Sequence, residues 1–168
     1  MFSVEIDRAL GWLQTTPIAS AIAENEILFP WIESVHVLAI VLVVGTISIV
    51  DLRLLGVASL GLGVRRLMRD VIPYTWGAFA VAAVTGSLMF SSDAVHYAHN
   101  FLFRGKLVLL ALAGVNMAVF HLIGIGDIER WDTGTGRTPI AARAAATISL
   151  LVWIAVVAFG RGIGFTMH

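Results

Sequence analysis

The chain has 168 residues, of which 58% are hydrophobic and only 13% are charged. Soluble domains carry about 25% charged residues, so this composition excludes an ordinary soluble protein and indicates an integral membrane protein. The formal net charge is zero and no basic tail or run of like charges occurs, which excludes a nucleic-acid-binding role. The chain has no cysteine, so any metal or cofactor ligand must come from another side chain.

Residues 1–29 precede the first long apolar run and mix apolar side chains with acidic and small polar ones. They lack the basic start and the small-residue cleavage site of a signal peptide. We therefore predict an N-terminal amphipathic segment that lies at the membrane interface, followed by a transmembrane bundle over residues 30–168.

Four apolar runs follow, each near the roughly 20 residues that cross the hydrocarbon of a bilayer. They cover about residues 31–56, 72–92, 101–124 and 139–160. The four prolines lie where helices should begin, because proline is best tolerated in the first helical turn. Asn100 is a predicted N-cap of the third run. The sequence therefore predicts an all-α fold, an integral membrane four-helix bundle preceded by an interfacial helix.

The basic residues predict the orientation of the bundle. With both termini outside, the two inner loops hold seven arginines, against four basic residues on the outer side. Inner loops normally carry the excess of lysine and arginine, so we predict that both termini are outside.

The first apolar run keeps ionisable residues near both of its ends, Glu33 and His36 at one end and Asp51 and Arg53 at the other. At about 100° per residue, Glu33 and Asp51 project from one line of the helix, and His36 lies close to that line. Ionisable groups are expensive in hydrocarbon, so we expect this polar stripe to face protein rather than lipid.

Polar stripes on the other runs predict two clusters, one at each end of the bundle. Lys106 and His121 share a face of the third run. Arg143 and Arg161 share a face of the fourth. The predicted outer cluster contains Glu33, His36, Lys106 and Arg161, with His96 and His99 in the connection above it. The predicted inner cluster contains Asp51, Arg53, His121 and Arg143.

The helical rise separates the two main histidines. His36 lies about 9 Å along the first helix from its outer end, and His121 lies about 30 Å along the third. They are therefore roughly 20 Å apart and cannot ligate one iron or copper between them. This disfavours a single bis-histidine haem and leaves two separate sites open.

Small residues recur every four positions in the second run, at Ala78, Ala82 and Gly86. This spacing lets membrane helices approach closely, so we predict a packing face here.

Four stretches of the chain are distinctive: WIESVHVLAIVLVVGTISIVDLRLLG, IPYTWGAFAVAAVTGSLMF, KLVLLALAGVNMAVFH and SLLVWIAVVAFGRGI. Over about residues 28–165 they resemble an uncharacterised family of small bacterial four-span membrane proteins, known only as a domain of unknown function. This resemblance implies the fold but no activity. With the orientation above, it implies the bacterial inner (cytoplasmic) membrane and periplasmic termini.

A more distant resemblance concerns His36, Arg53 at the inner end of the same span, and Lys106 at the start of the third span. Their order and spacing are similar to those of the HemJ-type protoporphyrinogen oxidases, which use a first-span His and a third-span Lys around haem b. The CopD-type copper-resistance membrane domains are similar in outline. The chain departs from the HemJ pattern at Asp51-Leu52-Arg53, where a Leu-Pro-Arg is expected.

Our leading hypothesis is a haem b-binding redox or electron-transfer protein with His36 as axial ligand. Glu33 would fix the tautomer of His36, Lys106 would act as sixth ligand or propionate partner, and Arg161 would hold a propionate. A membrane-soluble quinone or a porphyrin-like molecule is the predicted small-molecule partner. The candidate metal ligands, for iron or copper, are His36, His121, His96 and His99.

Three other functions stay open: a copper-handling protein, a proton-coupled transporter, and a non-catalytic accessory subunit. Self-association into a homo-oligomer is compatible with each of them. Structural roles are also open for the candidate residues. Lys106 would then snorkel to the interface, Arg161 would pair with Glu33, and Asp51 would pair with Arg53.

Overall fold

The computed structural model describes residues 4–59, 61–124, 128, 132 and 138–166, with the backbone alone at residues 121, 123 and 124. The helices are α1 (Val4–Gln14), α2 (Pro17–Glu24), α3 (Leu28–Leu55), α4 (Val64–Ser92), α5 (Ala94–His99), α6 (Phe101–Gly124) and α7 (Ile140–Thr166). Every regular element within these residues is a helix. Four of them, α3, α4, α6 and α7, are long and apolar enough to span a membrane, which confirms the predicted all-α membrane fold.

The four long helices form two hairpins. In one, α3 packs along α4, and in the other, α6 packs along α7. Contacts between α3 and α7 join the hairpins, whereas α4 and α6 share no packed interface along their described lengths. The bundle is therefore held through its two central helices and is not closed by backbone packing between α4 and α6.

The short helices gather at one end of the bundle. Helix α1 contacts α2, α4 and α5, and α2 contacts α3 and α4. The side chain of Gln14 on α1 donates to Asp93 Oδ1 beside α5 over 2.9 Å. We call this the α5 end, and the end where α3 connects to α4 and α6 to α7 the opposite end. The interfacial location of residues 1–29 and the orientation in the membrane stay predictions.

Large apolar side chains cover the outer surface of the long helices. Leu38, Leu122 and Leu151 on three different helices are 66%, 86% and 62% exposed. Such a continuous apolar surface is unfavourable in water but is solvated by lipid tails. The surface therefore fits the membrane environment that the composition predicted.

Two apolar clusters hold the helices together. One joins α3, α4 and α7 and consists of Val43, Ala78, Trp153 and Val156. The other lies at the opposite end and consists of Leu54, Val64, Met68, Ile128, Ala142 and Ala146.

Local signals define the ends of α3. Asn25 Oδ1 accepts the backbone N–H groups of Ile27 and Leu28, at 2.9 and 3.0 Å. After the helix, Gly56 has a φ of +77° and donates its N–H to the carbonyl of Arg53. Glycine adopts this left-handed conformation without steric cost, so Gly56 ends the helix.

The predicted start of the second span was wrong. Helix α4 begins at Val64, and Pro73 lies inside it rather than at its first turn. The added turns carry Arg65, Arg66 and Arg69, which are exposed. Hydropathy identified only the apolar part of the helix, because these turns are polar on their outer surface.

A residue that sequence reasoning missed fixes the opposite end. Asp132, between α6 and α7, accepts the N–H of Val64 at 2.8 Å and the N–H of Arg65 at 3.1 Å. Its Oδ1 also lies 3.8 Å from Nη2 of Arg53. A carboxylate at a helix N-terminus satisfies unpaired N–H groups and is favoured by the helix dipole. Because Asp132 and Val64 are 68 residues apart, no local sequence pattern signalled this cap.

We expect Asp132→Ala to lower the free energy of unfolding by about 1–2 kcal/mol, the usual cost of losing an N-cap. The control is Asp70→Ala, which removes exposed ion pairs with Arg66 and Arg69 and should cost less. Thermal unfolding in a mild detergent measures both variants, and hydrogen exchange should accelerate at the amides of Val64 and Arg65 in Asp132→Ala alone. Equal effects of the two variants would show that Asp132 is not the cap described here.

Candidate functional site

His36 lies half-buried in the interface between α3 and α4. Its Nδ1 is 2.9 Å from Thr85 Oγ1. The Thr85 hydroxyl donates to the carbonyl of Val81 at 2.7 Å, so towards His36 it acts as the acceptor. We infer that Nδ1 carries the proton, which leaves the lone pair of Nε2 free for a metal ion or a proton donor.

A glycine on α4 makes room for this imidazole. A Cβ atom at Gly86 would lie 3.0 Å from Cε1 of His36 and 3.6 Å from its Nδ1. One and two turns earlier, Ala82 and Ala78 are buried. The predicted small-residue face of the second span is thus confirmed, and its last member accommodates the histidine.

Lys106 approaches the same region from the other hairpin. It is half-buried on α6, and its Nζ lies 3.4 Å from the position that a Cβ would occupy on Gly160 of α7. Its ammonium group interacts electrostatically with His36. Within the described part of the chain, no carboxylate forms an ion pair with it. A half-buried cation without a counter-ion is costly, so this position favours an anionic ligand.

Three aromatic rings bridge α4, α5 and α6 at the α5 end. The rings of Phe90 and Phe103 are stacked with centroids 5.3 Å apart, and the ring of Tyr97 lies 5.4 Å from that of Phe103. Burial raises the pKa of the Tyr97 phenol, and the nearby carboxylates of Asp93 and Glu33 add to the effect. Tyr97 therefore stays neutral, and the rings connect α4 to α6 where the two backbones do not pack.

The structure does not bring the whole predicted outer cluster together. Glu33 is exposed, and its carboxylate contributes to the raised pKa of the Tyr97 phenol on α5. Arg161 is also exposed, and its guanidinium carbon lies 5.2 Å from the ring centroid of Phe165 rather than beside Glu33. The helical wheel gives the direction of Glu33 around α3 but not where a neighbouring helix covers that face, and the Glu33 side chain is exposed. Of the outer cluster, His36 and Lys106 remain together.

His96 and His99 lie exposed on α5. Nδ1 of His96 is 2.8 Å from Oδ1 of Asp93, and Nε2 of His99 is 3.5 Å from Oδ1 of Asp7. Among the residues that the structure describes, no group of three or more His, Cys, Asp or Glu could hold a metal ion. The side chain of His121 lies outside the described residues, so its predicted role as a ligand stays a prediction.

The predicted inner cluster is also divided. Asp51 is buried and has Ser149 of α7 as its side-chain hydrogen-bond partner. Arg53 forms an ion pair with Asp132 instead of Asp51. Its Nε donates to the carbonyl of Leu62 over 2.7 Å. The predicted ion pair between Asp51 and Arg53 was therefore wrong, because Arg53 pairs with Asp132, the carboxylate that caps α4. Arg143 is exposed at this end.

The chain belongs to the family of unknown function DUF6644, which it matches over residues 20–166. This confirms the resemblance to an uncharacterised family. No curated protein and no solved structure matches the chain. No similarity to the HemJ-type or CopD-type domains is found.

We expect Gly86→Ala to displace the His36 imidazole, because the added methyl group would lie 3.0 Å from Cε1. Overpacking of this kind costs about 1–3 kcal/mol. Gly77→Ala on the same helix is the matched control, since no atom lies within 4 Å of a Cβ at Gly77. Nuclear magnetic resonance of ¹⁵N-labelled histidine, together with thermal unfolding, reports the change. If Gly86→Ala and Gly77→Ala have the same His36 signals and the same melting temperature, the close contact between Gly86 and His36 is refuted.

Proposed function

We propose that this member of DUF6644 is a haem b-binding redox protein of the membrane, with Nε2 of His36 as an axial ligand of the iron. The observation that carries the proposal is the hydrogen bonding of His36. Because Thr85 accepts from Nδ1, the ring is held in the tautomer whose Nε2 lone pair is available. A neutral imidazole held in this way is the usual proximal ligand of haem.

The surroundings of His36 fit such a group. Gly86 lets the imidazole lie directly against the backbone of α4, because a Cβ there would lie 3.0 Å from Cε1 of His36. The two hairpins meet through α3 and α7, and α4 and α6 share no packed interface along their described lengths. The stacked rings of Phe90 and Phe103 connect these two helices through apolar contacts at the α5 end.

Lys106 supplies the charge that the proposal requires. Haem carries two propionate groups, and a half-buried ammonium that lacks a described carboxylate partner is suited to bind one of them. We therefore assign Lys106 to a propionate rather than to the iron. Arg161 and Glu33 are exposed at the same end and stay outside this assignment.

The bound haem would supply one-electron chemistry, and the chain would supply ligation, orientation and exclusion of water. A membrane-soluble reductant or oxidant, such as a quinone or a porphyrin-like molecule, suits a site that lies among apolar helices. Copper handling is less well supported, because His96 and His99 are engaged by Asp93 and Asp7 on the exposed α5.

The test of the ligand is a reduced-minus-oxidised visible spectrum of protein purified in a mild detergent after haem-supplemented expression. We expect a haem b signal that is lost in His36→Ala, because no other described histidine lies at this site. His96→Ala, on the exposed surface of α5, is the matched control and should keep the signal. A wild-type protein without any chromophore would refute the proposal, and so would a signal that survives His36→Ala.

Lys106→Gln should weaken haem binding by roughly 10- to 100-fold, which corresponds to the loss of one hydrogen bond to a charged group. The shape of the absorption bands should not change, because the iron keeps His36. Arg161→Gln, an exposed cation at the same end, is the control and should bind haem as the wild type does. Haem titration of the apoprotein measures the affinity of the wild type, of Lys106→Gln and of Arg161→Gln. A change of spin state in Lys106→Gln would instead place the lysine on the iron.

A further inference from the structure

Asp51 is an unusual residue in the opposite half of the bundle. Among the side chains that the structure describes, it is the only ionisable one that is fully buried, with 6% of its surface exposed. It lies about 6 Å, or one turn, before the end of α3. The proposed haem site does not involve it, since His36 is about 22 Å further back along the same helix.

The hydrogen bonding of Asp51 is incomplete. Ser149 on α7 is its side-chain partner, and Oδ2 is buried without any hydrogen bond. One turn before Ser149, the carbonyl of Ala145 accepts from Nδ2 of Asn116 on α6 over 3.1 Å. Helix α7 thus has a polar contact with α3 at Ser149 and another with α6 one turn earlier.

No described cation compensates a charge on Asp51. Arg53 on the same helix is bound to Asp132 and to the Leu62 carbonyl. The other described charged groups at this end, on the helices packed against α3, are exposed: Arg65, Arg66, Arg69 and Asp70 on α4 and Arg143 on α7. On α6, the side chain of His121 lies outside the described residues. Asp51 also stands at the C-terminal end of α3, where the helix dipole opposes negative charge.

We propose that Asp51 is a proton-binding site: it holds a proton as a neutral carboxylic acid and exchanges it with water at the opposite end of the bundle. A buried carboxylate without a cation is far more costly than the neutral acid. The bare Oδ2 is the atom that carries the proton, and Ser149 orients the carboxyl group. Ionisable groups kept inside membrane bundles commonly serve proton transfer. The proposal does not depend on haem binding at His36.

Infrared spectroscopy of the protein in lipid vesicles at neutral pH tests the protonation directly. We expect the carbonyl stretch of a protonated carboxylic acid, with its shift in deuterium oxide and its further shift when aspartate is ¹³C-labelled at the carboxyl carbon. Asp51→Asn should abolish the band, whereas the matched control Asp70→Asn, at an exposed aspartate, should keep it. Ser149→Ala should move the band to higher frequency, because the carboxyl group loses its hydrogen-bond partner.

A chemical probe gives an independent measurement. Dicyclohexylcarbodiimide adds to a protonated carboxyl group: the acid proton goes to a carbodiimide nitrogen, the carboxyl oxygen bonds to the central carbon, and the acyl group then migrates to nitrogen. Mass spectrometry should find one intact carbodiimide on Asp51, with less labelling at higher pH and none on the exposed Glu33. A wild-type spectrum without a carboxylic-acid band from aspartate would overturn the proposal. Labelling of Glu33 but not of Asp51 would overturn it as well.

Discussion

The interaction on which the bundle depends is the pairing of polar side chains on α3 with its neighbours inside the apolar interior. Lipid provides little hydrophobic driving force between helices, so polar contacts and close packing determine which faces meet. Three polar pairs join α3 to its neighbours: His36 with Thr85, Thr46 with Thr75, and Asp51 with Ser149. The first two tie α3 to α4, and the third ties it to α7. Helix α3 is therefore central because it carries most of the groups that need partners.

The two ends of α3 present different chemistry. At the α5 end, the hydrogen bond from His36 to Thr85 leaves a nitrogen lone pair, and Lys106 adds a positive charge. Near the opposite end, Asp51 carries a carboxyl group without a described cation. The apolar cluster around Val43 and Trp153 joins α3, α4 and α7. The groups that we propose for haem binding are thus kept apart from the carboxyl group that we propose to hold a proton.

Sequence reasoning placed His36 and Lys106 at the same end of the bundle, because alternating helices of known length fix the depth of each residue, and the two groups interact electrostatically. The prediction that Glu33 faces protein was wrong, since its side chain is exposed. The depth of a residue and an idealised helical wheel do not show how far along α3 a neighbouring helix covers it. Sequence reasoning also paired Asp51 with Arg53, since the competing acceptor Asp132 lies in a distant connection. The position of Gly86 was noted only as part of a packing stripe, and its role beside the imidazole required coordinates.

Composition and apolar run length by themselves determined that this is a four-span helical membrane protein, because only helices satisfy the backbone of a single segment in hydrocarbon. Local signals such as Asn100, which accepts the N–H of Leu102, also determined where some helices begin. Only the tertiary structure decided which polar groups meet. The tautomer of His36, the surroundings of Lys106, the cap at Asp132 and the burial of Asp51 beside Ser149 all depend on contacts between distant segments. A periodic pattern within one helix carries no information about its neighbours.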